Sequence, residues 1–151
     1  MIYKENSIVL ESVFIPNNCV EILKAGTRIY NLKGTSNDEI KFINSVGEIE
    51  KFDTVIDAYK NILYYKYKTA RNISDFIDSI SQKCCNENCN GRGYKICGAH
   101  VTLDPFSRNI QEGNKFYIVP LCDSCNQEYY EPIILADDIP AIVGTWDGII
   151  R

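Results

Sequence analysis

Six of the seven cysteines lie between positions 84 and 125, and their spacing is that of metal ligands. The second pair, Cys122-Asp123-Ser124-Cys125, has the two-residue gap of a zinc knuckle. A tight turn of that length sets both sulfurs on one side, with backbone amides directed at them. The first pair is Cys84/Cys89 or Cys85/Cys89, within Cys84-Cys85-Asn86-Glu87-Asn88-Cys89. Between Cys89 and Cys122 lie 32 residues, room for a hairpin. Four thiolates at about 2.3 Å from one Zn2+ would close a tetrahedral structural site with no open position. The odd cysteine count and the clustering favour metal over disulfides in a chain that opens without an export signal. A redox dithiol at Cys122/Cys125 would need a strand running into a helix N-terminus, and the local pattern supplies none. Cys19 stands apart and reads as a small buried apolar residue.

His100 is the single histidine, in Gly98-Ala99-His100-Val101 between the two cysteine pairs. It reads as a structural residue, as a replacement for one thiolate on the metal, or as a general base. Charge narrows the choice of partner. The net charge is −4 and the pI near 5.0. Residues 1–83 balance eleven Lys/Arg against eleven Asp/Glu, whereas residues 84–151 hold five against nine. Four thiolates around one dication would add about −2 to that acidic half. Phosphate recognition needs local cations, and only Arg92, Lys95, Arg108 and Lys115 flank the cysteines, with Arg151 farther on. A general nucleic-acid binder is therefore disfavoured, and a protein partner favoured. No apolar run approaches the ~20 residues of a membrane span, and the start, Met1-Ile2-Tyr3-Lys4-Glu5-Asn6, is not a secretory signal. The expected setting is cytoplasmic.

The 151 residues, 45% hydrophobic and 24% charged, can bury a core without help from metal. Residues 1–52 alternate in the manner of strands: Ser7–Ile15, Cys19–Lys24, Arg28–Leu32, Ile40–Val46 and Glu48–Phe52, with Gly26 bending one of them and Pro16-Asn17-Asn18 and Gly34–Asp38 as turns. Asp53 or Thr54 caps a helix carrying Val55, Ala58, Tyr59, Ile62 and Leu63 at helical spacing. Tyr64, Tyr65 and Tyr67 at its end pack into the core with wet hydroxyls or offer a binding surface. Ser74 caps a second helix with Phe76, Ile77 and Ile80. After Cys125 a short helical turn is stopped by Pro132, and Ile133–Leu135 and Ala141–Val143 read as short strands. The predicted class is α+β: an antiparallel sheet with one or two helices over residues 1–83, then a zinc module with short strands over 84–151.

The stretch Cys84–Asn126, about 43 residues, resembles the treble-clef zinc fold of HNH-type (ββα-metal) nucleases. It looks closest to small bacterial and phage proteins with a cysteine pair, then Gly-Ala-His-Val, then an aromatic-Ile-Val-Pro-Leu-Cys-x-x-Cys-Asn run, here Tyr117–Asn126. That pattern uses a four-residue gap in the first pair, which implies Cys84, Cys89, Cys122 and Cys125 as Zn2+ ligands, with Cys85 and His100 as alternates. His100 matches the family's general base. The position before it, which in active nucleases helps hold a catalytic divalent metal, is Ala99. The position of the Asn that orients the base is Tyr117. Asn126 matches the last metal-ligand position, yet Gln127-Glu128-Tyr129-Tyr130 follow where the family places cations. Asp104 or Asn114 would have to substitute. The resemblance implies a kept zinc scaffold with degenerate nuclease chemistry. The expected function is a non-catalytic protein-binding module, an inhibitor or anti-defence protein of phage or mobile-element type. An HNH endonuclease using His100 and a nucleic-acid-binding zinc module are the alternatives.

Overall fold

A computed structural model describes residues 8–10, 13–15, 20–33, 40–43, 49–52, 54–106, 108–109 and 115–146. Ten strands and two helices follow one another among these residues. The strands are β1 (Ile8–Leu10), β2 (Val13–Ile15), β3 (Val20–Leu23), β4 (Arg28–Asn31), β5 (Ile40–Ile43) and β6 (Ile49–Phe52), then β7 (Ile96–Thr102), β8 (Lys115–Cys122), β9 (Ile133–Ile134) and β10 (Ile139–Trp146). Helices α1 (Val55–Tyr67) and α2 (Ile73–Ser81) lie between β6 and β7, and a 3-10 turn (Cys125–Gln127) follows β8. The class is α+β, as predicted: a curled antiparallel sheet with two helices. No described helix is long and apolar enough to cross a membrane.

The strand order is β6-β5-β1-β2-β10-β8-β7-β4-β9, with β3 also paired to β10. Four ladders cross the division read from the sequence: β4 with β7, β4 with β9, β10 with β2 and β10 with β3. β4 pairs with β7 through Tyr30↔Thr102 and Asn31↔Val101. β10 pairs with β2, β3 and β8. The division at 83/84 therefore does not follow the hydrogen bonding, because strands from both sides of it build one sheet.

Local chemistry explains where the elements begin. Thr54, not Asp53, is the α1 cap: its Oγ1 accepts from the Asp57 N–H at 3.1 Å, while Asp53 lies outside the described residues. The second helix starts one residue after Asn72, in left-handed conformation at φ 59°, which Asn tolerates better than most residues. Ser74, expected as the cap, lies inside the first turn. The run Ser7–Ile15, read as one strand, is two: β1 and β2 pair antiparallel with Leu10 opposite Val13. Gly26, at φ 83°, does not bend a strand but sits in a turn closed by Thr27 N–H to the Lys24 carbonyl, after which β4 finds other partners than β3.

β8 is buried on both faces, as a central strand must be. Phe116 and Ile118 face α1, packing with Val55, Tyr59 and Leu63. Tyr117, Val119 and Leu121 point the other way, into a second cluster with Ile29, Val101, Leu135 and the cysteines Cys85, Cys122 and Cys125. Gly98 lets α1 approach β7 closely, since a Cβ there would stand 2.5 Å from Val55 Cγ1 and 2.7 Å from the Val55 carbonyl carbon. Tyr59 is fully buried, and its hydroxyl donates to the Pro140 carbonyl at 2.6 Å, tying α1 to β10. Of the tyrosines ending α1, Tyr67 packs partly against the core, Tyr64 is half-exposed, and the Tyr65 side chain lies outside the described set.

Candidate metal centre

The long β7–β8 hairpin brings together what the sequence separates. The ladder from Ile96↔Cys122 to Val101↔Tyr117 sets the end of β8 beside the segment that follows Cys89. The first cysteine segment is fixed on its other side by the Cys85 N–H to the Pro120 carbonyl, the Ala136 N–H to the Cys85 carbonyl and the Glu87 N–H to the Ile134 carbonyl. The sulfurs of Cys84, Cys89, Cys122 and Cys125 consequently all lie within 4.8 Å of one another. Cys89 and Cys122 stand 3.8 Å apart, the edge of a tetrahedron whose centre lies about 2.3 Å from each sulfur.

Donors surround these sulfurs. The Gly91 N–H points at Cys89 Sγ, the Cys125 N–H at Cys122 Sγ and the Asn86 side-chain amide at Cys125 Sγ, each at 3.4 Å. The Gly91 amide holds the Cys89 thiol below its ordinary range. Burial pushes Cys84 up to about 11 and pushes Cys125 up as well. A dication held among them would replace those protons and remove the conflict between burial and charge. The donor set is all sulfur, without a carboxylate or a water position, so the residues fit a soft metal ion held in a closed, structural manner.

Residues that sequence reasoning passed over shape the centre. Gly91 has φ 74°, a left-handed turn that favours glycine. Gly93 abuts Cys122, where an added Cβ would collide with the sulfur. Asp123, between the second pair, accepts from the Tyr94 N–H at 2.8 Å and the Ser124 N–H at 3.0 Å, and the Tyr94 contact keeps its carboxyl below the usual range. Asn31 on β4 is nearly fully buried and donates from Nδ2 to the carbonyls of Cys125 and Glu128, both at 2.8 Å. A lone Asn inside a strand carries no motif, so nothing in the sequence marks it.

The two alternates lie elsewhere. Cys85 is in the core cluster beneath the sheet, its thiol pushed up to about 12 by burial. His100 sits on the helix side of β7, with its ring 5.3 Å from that of Phe116. Its environment lowers its pKa to about 4 through desolvation, so the imidazole is neutral near pH 7. Ala99, before it, is buried on the opposite face. Asn126 lies in the 3-10 turn. Asp104 accepts from the Phe106 N–H. Cys19 and Asn114 fall outside the described residues. Among the four cations near the site, Arg108 and Lys115 have partners within the fold. Arg108 stacks over Tyr30 at 4.6 Å and donates to the Tyr129 carbonyl at 2.6 Å, and Lys115 pairs with Glu21 at 3.4 Å. Beside the second pair, Asn86, Asn88, Glu128, Glu131 and Ile134 help line an open cleft of about 390 Å3.

Compared with family models, curated proteins and solved structures, the chain matches none.

Proposed function

We propose that this chain is a non-catalytic protein-binding module whose structural Zn2+, held by Cys84, Cys89, Cys122 and Cys125 in a degenerate treble-clef arrangement, stiffens an acidic surface. The zinc supplies only cross-linking and charge; it has four protein ligands and leaves no position for a reacting water. The observation that carries this reading is the placement of His100. The residue that would serve as an HNH general base is buried on the helix side against Phe116, its basicity lowered by desolvation, with a core alanine where a metal ligand would be needed. A water nucleophile at neutral pH needs both a base and a metal beside the scissile phosphate. The 3-10 turn of three residues, standing where the ββα pattern has a helix, agrees with a scaffold kept without its chemistry.

The acidic residues Asp104, Asp123, Glu128 and Glu131 suit a partner with a basic surface, as a nuclease or a nucleic-acid-handling defence protein would have. An inhibitor that presents carboxylates in place of phosphates fits that description. Two assays test the reading. Purified protein should contain about one zinc per chain, and should not nick supercoiled plasmid with Mg2+ or Mn2+. Nicking that disappears in His100→Ala, with the fold retained, would establish the nuclease instead.

A further inference from the structure

Three large hydrophobic side chains are nearly fully exposed: Tyr94 at 97%, Phe106 at 95% and Tyr130 at 85%. Side chains left so far out of the core are uncommon unless they meet something. Their loops are not slack. In each case a carboxylate accepts the aromatic residue's own backbone N–H: Asp123 for Tyr94 at 2.8 Å, Asp104 for Phe106 at 2.9 Å and Glu128 for Tyr130 at 2.8 Å.

Phe106 and Tyr130 form a pair, because one side chain braces both loops. Arg108 Nε donates to the Pro105 carbonyl at 3.0 Å, and its Nη1 donates to the carbonyls of Tyr129 at 2.6 Å and Tyr130 at 3.5 Å. The same guanidinium lies over the Tyr30 ring. The backbones that carry the two rings are thus tied together through Arg108 before any partner arrives, which lowers the entropic cost of binding. The charge beside them is negative: Asp104, Glu128 and Glu131 flank the pair. Arg108 is engaged with carbonyls and Tyr30, and Lys33 enters this end of the sheet through its backbone N–H to the Arg108 carbonyl. Tyr94 differs, since exposed Arg92 and Lys95 stand on either side of it.

We propose that Phe106 and Tyr130, braced by Arg108 and bordered by Asp104, Glu128 and Glu131, are the docking face for an arginine-rich segment of a partner protein. Guanidinium groups stack on exposed aromatic faces and pair with neighbouring carboxylates at the same time. Phosphate-bearing partners would meet three carboxylates at this face. The proposal rests on the protein-binding reading above and names the chemistry of its partner.

The test uses full-length, metal-loaded protein and a short fluorescein-labelled Arg-Gly repeat peptide, with anisotropy read at about 0.15 M salt. An Asp-Gly repeat and single-stranded oligothymidine serve as comparison ligands. The Arg-Gly peptide should bind. Phe106→Ala and Tyr130→Ala, with metal content and melting temperature unchanged, should each weaken it by about tenfold. Glu128→Gln should weaken it too, and Tyr94→Ala should not. Equal binding by wild type and both aromatic variants would remove this face while leaving an acidic protein-binding module in place. No binding of the Arg-Gly peptide by the wild type would overturn this docking proposal, while the zinc content and the nicking assay still decide the protein-binding reading. Oligothymidine binding that depends on Phe106 and Tyr130 would overturn the proposal in favour of base stacking.

Discussion

A Cβ placed on Gly93 would lie 2.6 Å from the Cys122 sulfur and 2.5 Å from the Cys122 Cβ. The loop between the two cysteine pairs thus presses its backbone directly on Cys122, and no side chain fits between them. Gly93→Ala should lower metal occupancy in purified protein and destabilise it by about 1–3 kcal/mol, the usual range for overpacking. Gly91→Ala meets open space but must hold a left-handed φ, so it should cost about 1 kcal/mol and keep its metal. Metal analysis and thermal melts of the two variants check the contrast.

Adjacent cysteines should behave oppositely. Cys84 belongs to the sulfur cluster and Cys85 to the core. Cys84→Ser should lose the metal, whereas Cys85→Ser should retain it and lose about 1–3 kcal/mol by burying a hydroxyl. Removing the ion with a chelator should destabilise the wild type and leave Cys84→Ser unchanged. Released zinc read with a colorimetric indicator, beside denaturant melts, distinguishes the outcomes. Metal retained by Cys84→Ser would refute the ligand assignment.

Asn31 holds the second knuckle through two carbonyls, and its Oδ1 is buried with no partner among the described residues. Asn31→Leu should leave the Glu128 carbonyl without its amide donor and the Cys125 carbonyl with the Glu128 N–H alone, at a cost of about 2 kcal/mol. Asn31→Asp should be worse near pH 7, because it sets a buried charge against two carbonyl oxygens. Faster metal release from both variants would show the contact acting on the centre, and an unchanged rate would confine it to the core.

The His100 imidazole is neutral in the folded protein, with its pKa moved down from 6.5 to about 4 by desolvation. The unfolded chain therefore binds this proton first as the pH falls. The stability tied to neutral His100 is fully present above pH 6.5 and is lost progressively down to about 4, about 3 kcal/mol in all. Between pH 7 and pH 5 the wild type should lose about 2 kcal/mol more than His100→Gln. Urea melts at the two pH values measure the difference. Equal losses would mean that His100 is accessible to protons in the native state, and would restore it as a candidate base.

That the cysteines on either side of the hairpin come together was legible from spacing, because a knuckle needs its two sulfurs a fixed few residues apart; spacing left Cys84 and Cys85 open, and it is Cys84 whose sulfur joins those of Cys89, Cys122 and Cys125. Helix α1 was legible for a similar reason: its apolar residues and Thr54 cap are local signals. What escaped was non-local. The pairing of β1 with β2 puts Ile8 and Leu10 on one face with Val13 and Ile15, a switch of parity that an unbroken run of apolar residues on both parities conceals. Pro140 looked like the boundary of a short strand, yet it lies inside β10 opposite Ile22, and its carbonyl takes the buried Tyr59 hydroxyl. Asn31 and Gly93 matter through residues tens of positions away, which no window along the sequence can show.

The position of β10 has a consequence for how the chain is made. Among the described strands, β2-β1-β5-β6 form one hydrogen-bonded set and β8-β7-β4-β9 another, and β3 pairs with β10 alone. β10 joins all three, although it follows every other element in chain order. During synthesis the nascent chain can close its thiol cluster and its long hairpin while these groups of strands still have unpaired edges facing each other. β10 therefore leaves the ribosome only after the described strands it joins. In that interval exposed edges invite association with other chains. An early, metal-clamped hairpin would then serve as a timing device, holding one side of the sheet in register until the final strand slides in.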